Sequence, residues 1–418
     1  MNGLRICMLT TFYPPHNFGG DGIGIQRLAQ AFARRGHRVV VVHDVDAYNA
    51  LRQGPEPQPM ENSDGVEVVA LRSGLGLVSP LFTQQLGRPV FNGPSIRRLL
   101  ANEEFDVTIF HNISLVGGPG LLRYGRGVTL YEAHEHWLVC PMHVLWRHNK
   151  EACTSRQCIR CTLRFGRPPQ IWRYTGLLER QLNNVDAFIA KSEFSLQMHR
   201  EFGFDRPMSI IPYFLPDDAG AGAGRDPVHD RPFFLFAGRL VRMKGLDEAI
   251  PAFRDYPDAD LLIAGDGPHG PALRALARSV PNVRFLGRLT PEELRVYYEQ
   301  AIALLVPTVG VETFGIILIE AFRQGTPVIA RRAATFPELV AESGGGLLFD
   351  TPAEMLHSMR TLQHDPALRD RLGESGRDAF VRNWTEGAVL PRYLDLIRSV
   401  AERKGRHDIV DQIVEYAG

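Results

Sequence analysis

The sequence is 418 residues long, and no stretch of it reaches the run of about 18 apolar residues that a membrane-spanning helix needs. The beginning does not read as a secretory leader, because the apolar stretch after Arg5 is cut short at Thr10-Thr11 and Pro14-Pro15. These two absences lead to the expectation of a cytoplasmic protein, with peripheral contact at the inner membrane face left open. Net charge is also missing: 47 Lys and Arg balance 47 Asp and Glu. No global field therefore draws the chain to nucleic acid or an acidic surface, and any such binding would have to be local. No solenoid repeat period is found. Cysteine is scarce at five residues, and four of them fall in one short stretch.

What is present is an alternation of apolar strands and amphipathic helices, long enough for two or three domains. Leu4 to Leu9 predicts a buried strand, and Phe18-Gly19-Gly20-Asp21-Gly22 a glycine loop. A helix is expected from Ile25 to Arg35, closed by Gly36, and then a strand from Arg38 to His43. Short strands follow at Val66 to Leu71, Asp106 to His111, Gly127 to Glu132, Ala187 to Ala190 and Met208 to Ile211. Such alternation implies a parallel sheet covered on both faces. The Gly/Ala/Asp-rich stretch 216–231 has no periodicity and reads as a linker. A second strand-helix series runs from Phe233 to about Leu348, with helices to the end. The expected fold class is α/β, two Rossmann-like domains facing each other across a cleft. The domains are 1–215, with a basic Cys-rich insert near 137–180, and 232–385, followed by a helical tail, 386–418, packing back toward the first domain. The glycine loop lacks the GxGxxG spacing, and Asp44 is poorly placed for a ribose, which argues against a nucleotide-linked oxidoreductase.

Chemistry concentrates in Pro307 to Val340, where a strand ends in a polar turn and a helix follows from about Gly315 to Gln324. Glu312 precedes that helix and Glu320 lies within it. A helix N-terminus favours an anion, and Gly315 lets backbone N–H groups approach one, so two carboxylates flank a phosphate seat. Upstream, Gly238-Arg239-Leu240-Val241-Arg242-Met243-Lys244-Gly245 places two cations, Arg239 and Lys244, after the apolar run Phe233 to Ala237. Carboxyl ends of strands are where open α/β sheets bind ligands.

With these pieces in order, the chain resembles the retaining nucleotide-sugar glycosyltransferases of the two-domain GT-B type, family 4. The matching segments are Gly238-Arg239-Leu240 with Lys244-Gly245, Ala264-Gly265-Asp266-Gly267-Pro268, Phe285-Leu286-Gly287-Arg288 and Glu312-x-Phe314-Gly315-x4-Glu320-Ala321. They continue into Gly325-Thr326-Pro327-Val328 and Pro337-Glu338-Leu339-Val340 and cover the C-terminal half. Two positions depart from the family pattern: Ala334-Thr335 stands where relatives carry a paired glycine, and Pro212-Tyr213 where Pro-Asn is usual.

The resemblance implies an acceptor-binding first domain, a nucleotide-sugar-binding second domain and transfer of a hexosyl-type sugar with retention of configuration. It implies that Arg239 and Lys244, with amides near Phe314, Gly315 and Ile316, neutralise the departing diphosphate, so that no cofactor is required for the chemistry. Glu312 would hold sugar hydroxyls, Glu320 the ribose hydroxyls, and backbone at Arg288 and Leu289 the base edge, with Gly238 in the same loop set. Gly19 and Gly20 would face the diphosphate and the acceptor. His134, in Tyr131-Glu132-Ala133-His134-Glu135-His136-Trp137, corresponds to a histidine beside the donor sugar; His111 is a lesser candidate.

The insert that follows holds Cys140, Cys153, Cys158 and Cys161, while Cys7 sits in the first strand. The cluster fits a four-thiolate structural site, zinc or an iron–sulfur cluster, and equally well free or reversibly paired thiols. Arg147, Lys150, Arg156, Arg160, Arg164, Arg167 and Arg173 run beside Trp146, Phe165, Trp172 and Tyr174. That patch suits a lipid diphosphate acceptor or an anionic membrane surface, and equally a solvated loop. No nucleic-acid motif accompanies it. The expected partners are a nucleoside-diphosphate sugar and a sugar or lipid-linked acceptor of a cell-surface polysaccharide. A small natural-product aglycone and a non-catalytic nucleotide-sugar or metal-binding role stay open as alternatives.

Overall fold

A computed structural model describes residues 3–52, 55–58, 65–216 and 226–416; most of the expected linker, 217–225, lies outside the described residues. The first lobe contributes strands β1 (Arg5–Leu9), β2 (Arg38–Asp44), β3 (Val66–Leu71), β4 (Val107–Phe110) and β5 (Val128–Ala133). A small hairpin of β6 (Trp146–Arg147) and β7 (Glu151–Ala152) follows, and then β8 (Ala187–Ala190) and β9 (Met208–Ile210). The second lobe holds β10 (Phe233–Ala237), β11 (Asp260–Ala264), β12 (Val283–Gly287), β13 (Leu304–Val306), β14 (Val328–Arg331) and β15 (Gly346–Phe349). The first sheet runs β3-β2-β1-β4-β5-β8-β9 and the second β12-β11-β10-β13-β14-β15, and their strand pairs are parallel. This is the doubly wound order, in which chain direction across the sheet reverses once, between β1 and β4 and between β10 and β13.

Strand chemistry explains the layering. Successive side chains of a strand point to opposite faces, so Ile6 and Met8 enter one core cluster while Cys7 and Leu9 enter another. In β2, Val39 and Val41 divide from Val40 and Val42 in the same way. All are fully buried, so helices must cover both faces, and a continuous apolar run is the result.

One cover crosses from the other end of the chain. Helix Glu386–Arg403 sends Val389, Leu390, Tyr393, Ile397 and Val400 into the cluster that contains Ile6, Ile25 and Phe32. Its entry lies beside the earlier crossing, where Leu215 N–H donates to the Trp384 carbonyl at 2.9 Å. The two connections between lobes are therefore neighbours, the geometry of a hinge.

The first helix begins at Gly20, five residues before the expected Ile25. Gly24 lies so close to the Tyr213 ring that a Cβ would approach within 2.5 Å. Packing space, which glycine alone leaves, outweighs its poor helix propensity here.

Candidate active site

The two points of strand-order reversal face each other. At the second-lobe point, the loops after β10 and β13 carry the expected donor-site residues. Lys244 ends a short 3₁₀ turn (Arg242–Lys244), and its Nζ lies 2.5 Å from Glu312 Oε1, both side chains being largely but not fully buried. Lys244 is thus not a lone cation but half of an ion pair. Arg239 is exposed at the end of β10 and has no charged partner among the described residues.

Neighbouring loops hold this edge by backbone contact. Gly265, at φ +134°, sits so near the Gly238 carbonyl oxygen that a Cβ would come within 1.9 Å, and Leu240 N–H donates to the Asp266 carbonyl at 3.0 Å. The Ala264-Gly265-Asp266-Gly267 motif is therefore a brace under the Arg239 loop.

Helix Ile316–Arg323 follows the Glu312 turn. Gly315 has an ordinary negative φ, and a Cβ there would meet Leu318, Phe336 and Leu339 at 3.0 to 3.3 Å. Tight apolar packing accounts for that glycine, rather than open room for a ligand, which corrects the reason expected from sequence. Gly20 faces the same helix start, 3.1 Å from Ile316 Cδ1 by its added-Cβ position, so the Gly19-Gly20 loop does meet the helix N-terminus across the cleft.

Glu320 is half-buried and accepts a 3.1 Å hydrogen bond from the Tyr298 hydroxyl. Burial raises its carboxyl above the ordinary value, and Arg27 in helix Gly20–Arg34 of the facing lobe pulls the other way. Arg288 is exposed beyond β12, and Leu289 packs on the second-lobe core.

The first-lobe side is a buried polar cluster at the ends of β4, β5 and β8. His111 Nδ1 lies 2.9 Å from His134 Nε2, and His134 Nδ1 lies 2.5 Å from the Tyr213 hydroxyl. Glu132 forms an ion pair with Lys191 and lies 3.3 Å from His111 Nδ1. Tyr393, from the crossing helix, donates to Glu132 at 2.9 Å and accepts from Lys191 Nζ at 3.0 Å. Burial alone would raise the Glu132 carboxyl, yet Lys191 and the two histidines hold it well below its usual range. Burial keeps His134 neutral, well below its ordinary value.

His134 is consequently not an open cleft residue. Its side chain is 1% exposed, and its two ring nitrogens lie against His111 and the Tyr213 hydroxyl. It offers the other lobe its carbonyl instead, which accepts from Thr313 Oγ1 at 2.7 Å. Ser192 Oγ in turn donates to the Thr313 carbonyl at 2.6 Å. The turn that carries Glu312 is thereby tied to the first lobe on both sides. His111, Glu132 and His134 also bring three potential metal-ligand atoms within 4.8 Å. With Lys191 already supplying the positive charge against Glu132, this is the chemistry of an ion pair.

Several of these residues carry no signal in sequence. Lys191 and Tyr393 come from separate elements, whereas Glu132, two residues before His134, and Tyr213, after Pro212, belong to visible patterns. Glu338, part of the Pro337-Glu338-Leu339-Val340 motif, accepts from the Glu193 and Phe194 N–H groups at 2.9 and 3.0 Å. It caps helix Glu193–Glu201 of the facing lobe, where a carboxylate is favoured. Ala334 adopts φ +52°, a left-handed conformation that explains why relatives are expected to carry glycine there. Tyr213, the other departure, is the His134 partner.

The cysteines stay apart. All five are free thiols, and among the described residues no three of the four insert sulfurs lie within 4.8 Å of one another. Cys161 accepts from His148 N–H at 3.3 Å, and Cys153 lies 3.4 Å from the Ser155 carbonyl. Cys140, Cys153, Cys158 and Cys161 thus share the insert without standing at metal-ligand spacing in this structure.

Two doubly wound lobes that close on each other with reversal points opposed make the GT-B fold, a class of nucleotide-sugar transferase. Residues 18–218 match the family described as Glycosyltransferase Family 4, and residues 224–379 match Glycosyl transferases group 1. The chain belongs to the group 1 glycosyltransferases of GT-B fold. It is 34% identical over 199 residues to a D-inositol 3-phosphate glycosyltransferase of Corynebacterium kroppenstedtii, a match spanning 43% of each chain. It is 25% identical to a GDP-mannose-dependent alpha-(1-6)-phosphatidylinositol monomannoside mannosyltransferase of Mycolicibacterium smegmatis, over 93% of this chain and 97% of that one. The structure of sucrose-phosphate synthase from Thermosynechococcus elongatus shares the fold at a TM-score of 0.73 and 20% identity, covering 96% of this chain and 100% of that one. Enzymes of this group generally need no cofactor. No helix among the described residues is long and apolar enough to cross a membrane.

Proposed function

We propose that this protein moves a hexosyl-type sugar from a nucleoside diphosphate to a hydroxyl of a lipid-linked saccharide at the inner membrane face, with retention of anomeric configuration. The observation that carries this reading is the Lys244–Glu312 pair at the second-lobe reversal point, tied through Thr313 to His134 and Ser192 of the first. Lys244 and Arg239, with amides from Phe314 to Ile316, neutralise the leaving diphosphate, and Glu312 takes sugar hydroxyls. The bond from the anomeric carbon to the phosphate oxygen breaks, and the acceptor oxygen bonds on the same face. The acceptor proton passes to the leaving phosphate. His134 acts by position, its carbonyl holding the Glu312 turn. Relatives named for D-inositol 3-phosphate and phosphatidylinositol monomannoside support an acceptor that carries phosphate.

Incubation with a panel of sugar nucleotides, following nucleoside diphosphate release, tests the reading; no release with any donor and several lipid-linked acceptors would sink it. Since cations of the chain replace a metal, activity should persist in EDTA, and an absolute Mg²⁺ requirement would count against it.

In this reading Glu320 takes the ribose hydroxyls, and the hydrogen bond its carboxylate accepts from Tyr298 supports an oriented carboxylate there. A charge-assisted hydrogen bond is worth roughly 1.5 to 3 kcal/mol, so Glu320→Ala should weaken donor use about 10- to 100-fold. The wild type should reject a 2′-deoxyribose donor by a similar factor, and the variant should barely tell the two apart. Full ribose preference in the variant would return Glu320 to a packing role.

A further inference from the structure

Six of the insert's seven cations divide into two sets of three. Arg147 is bound to Glu151 and Ser155, Arg156 to the Phe202 carbonyl, and Arg173 lies half-buried over the Trp137 and Trp172 rings while donating to the Trp137 carbonyl. These three shape the insert. The side chains of Lys150, Arg160 and Arg164 have no ion pair or hydrogen bond among the described residues. Together with His148 they line an open surface cavity of about 370 Å³, with no carboxylate in its wall among the described residues.

The construction of that cavity points to a ligand. Arg160 and Arg164 stand four residues apart on helix Cys158–Arg164, where like charges repel by a few tenths of a kcal/mol. Lys150 closes the opposing hairpin, whose turn places His148 at φ +53° and Asn149 at φ +59°. These two are the central residues of the β-turn that the Lys150 N–H closes on the Arg147 carbonyl at 3.0 Å, and Asn-Gly meets positive φ at both such positions at least cost. A histidine held in this conformation has its Nε2 buried without a partner, and its N–H is pinned to Cys161 Sγ. An anion in the cavity would relieve the charge repulsion and give the imidazole a partner.

We propose that His148, Lys150, Arg160 and Arg164 form a phosphate-binding subsite. Clustered guanidinium groups favour phosphate over a carboxylate-poor solvent shell through paired N–H donors. Ile159 and Leu163, 52% and 60% exposed, lie beside the two arginines on the same helix, so an apolar chain attached to the phosphate finds a surface to follow. The phosphate is that of the acceptor, a step that rests on the proposed glycosyl transfer; binding at the subsite does not.

The test uses the full chain and an Arg160→Gln/Arg164→Gln variant. Inorganic pyrophosphate probes a free phosphate source, and phosphatidylcholine vesicles with and without phosphatidic acid probe a lipid one. By calorimetry the wild type should take up two pyrophosphates, one at the donor site and one here, and the variant one. Phosphatidic acid vesicles should bind the wild type about 100-fold better than the variant if the source is a lipid, each charge-assisted contact contributing about tenfold. Loss of pyrophosphate uptake without any vesicle effect assigns the subsite to a soluble phosphorylated ligand. If the variant binds both probes as the wild type does, the subsite does not exist. Saturation by a sugar nucleotide, measured separately in both proteins, should be the same; its absence in both would overturn the transferase reading while leaving the subsite standing.

Discussion

Replacing Lys244 by Ala should lower turnover about 100- to 1000-fold while weakening donor binding no more than about tenfold. The diphosphate carries more charge when it leaves than when it arrives, so a cation at its oxygens acts most strongly in the transition state. The 2.5 Å pairing with Glu312 adds a second effect, since the variant leaves that carboxylate uncompensated beside a departing anion. Neutralising it in Lys244→Ala/Glu312→Gln should therefore cost no more than Lys244→Ala alone, a non-additivity expected of residues acting as a unit. Initial rates of nucleoside diphosphate release give kcat, and calorimetry with the donor gives affinity. Equal losses in both quantities would reduce Lys244 to a docking contact.

The sequence pattern reached as far as contiguous segments allow. Strands Val66–Leu71, Ala187–Ala190 and Phe233–Ala237 lie at their expected bounds because a buried parallel strand leaves an apolar run that turn residues delimit. The donor-site loops were readable for a related reason: Arg239, Lys244, Glu312 and Glu320 fall in short motifs after strands. What sequence could not supply is pairing across distance. The motif placed Lys244 and Glu312 near one ligand but did not reveal that they neutralise each other. Glu132 and Tyr393 are 261 positions apart, and nothing local marks a lysine after β8 as the counter-charge of a carboxylate in β5. The surroundings of His134 are another case. Its neighbours in the chain suggest a cleft residue, whereas its neighbours in space, His111, Tyr213 and Glu132, enclose it.

Removing the charge of Glu132 should destabilise the first lobe strongly. The Glu132–Lys191 pair has side chains only 1% exposed, and breaking a buried pair leaves an ion with neither water nor partner, at a cost of about 3 to 5 kcal/mol. For a lobe of this size Glu132→Gln should lower the melting temperature by on the order of 10 °C. Most of that cost belongs to the stranded ammonium of Lys191. The Glu132→Gln/Lys191→Met variant should consequently melt above Glu132→Gln, even though it carries one more substitution. The pH dependence has a definite sign. The Glu132 carboxyl is held below its ordinary 4.5 in the folded protein, so its contribution is complete above that pH and is lost as acid protonates it. Near pH 3, accordingly, the gap between wild type and Glu132→Gln should narrow. Because Glu132 also lies against the two histidines behind the Glu312 turn, the same variant should lose turnover at temperatures where it is still folded. A double variant whose losses equal the sum of the singles would show that Lys191 and Glu132 act independently, and that the charge at the centre of the lobe is not what holds it.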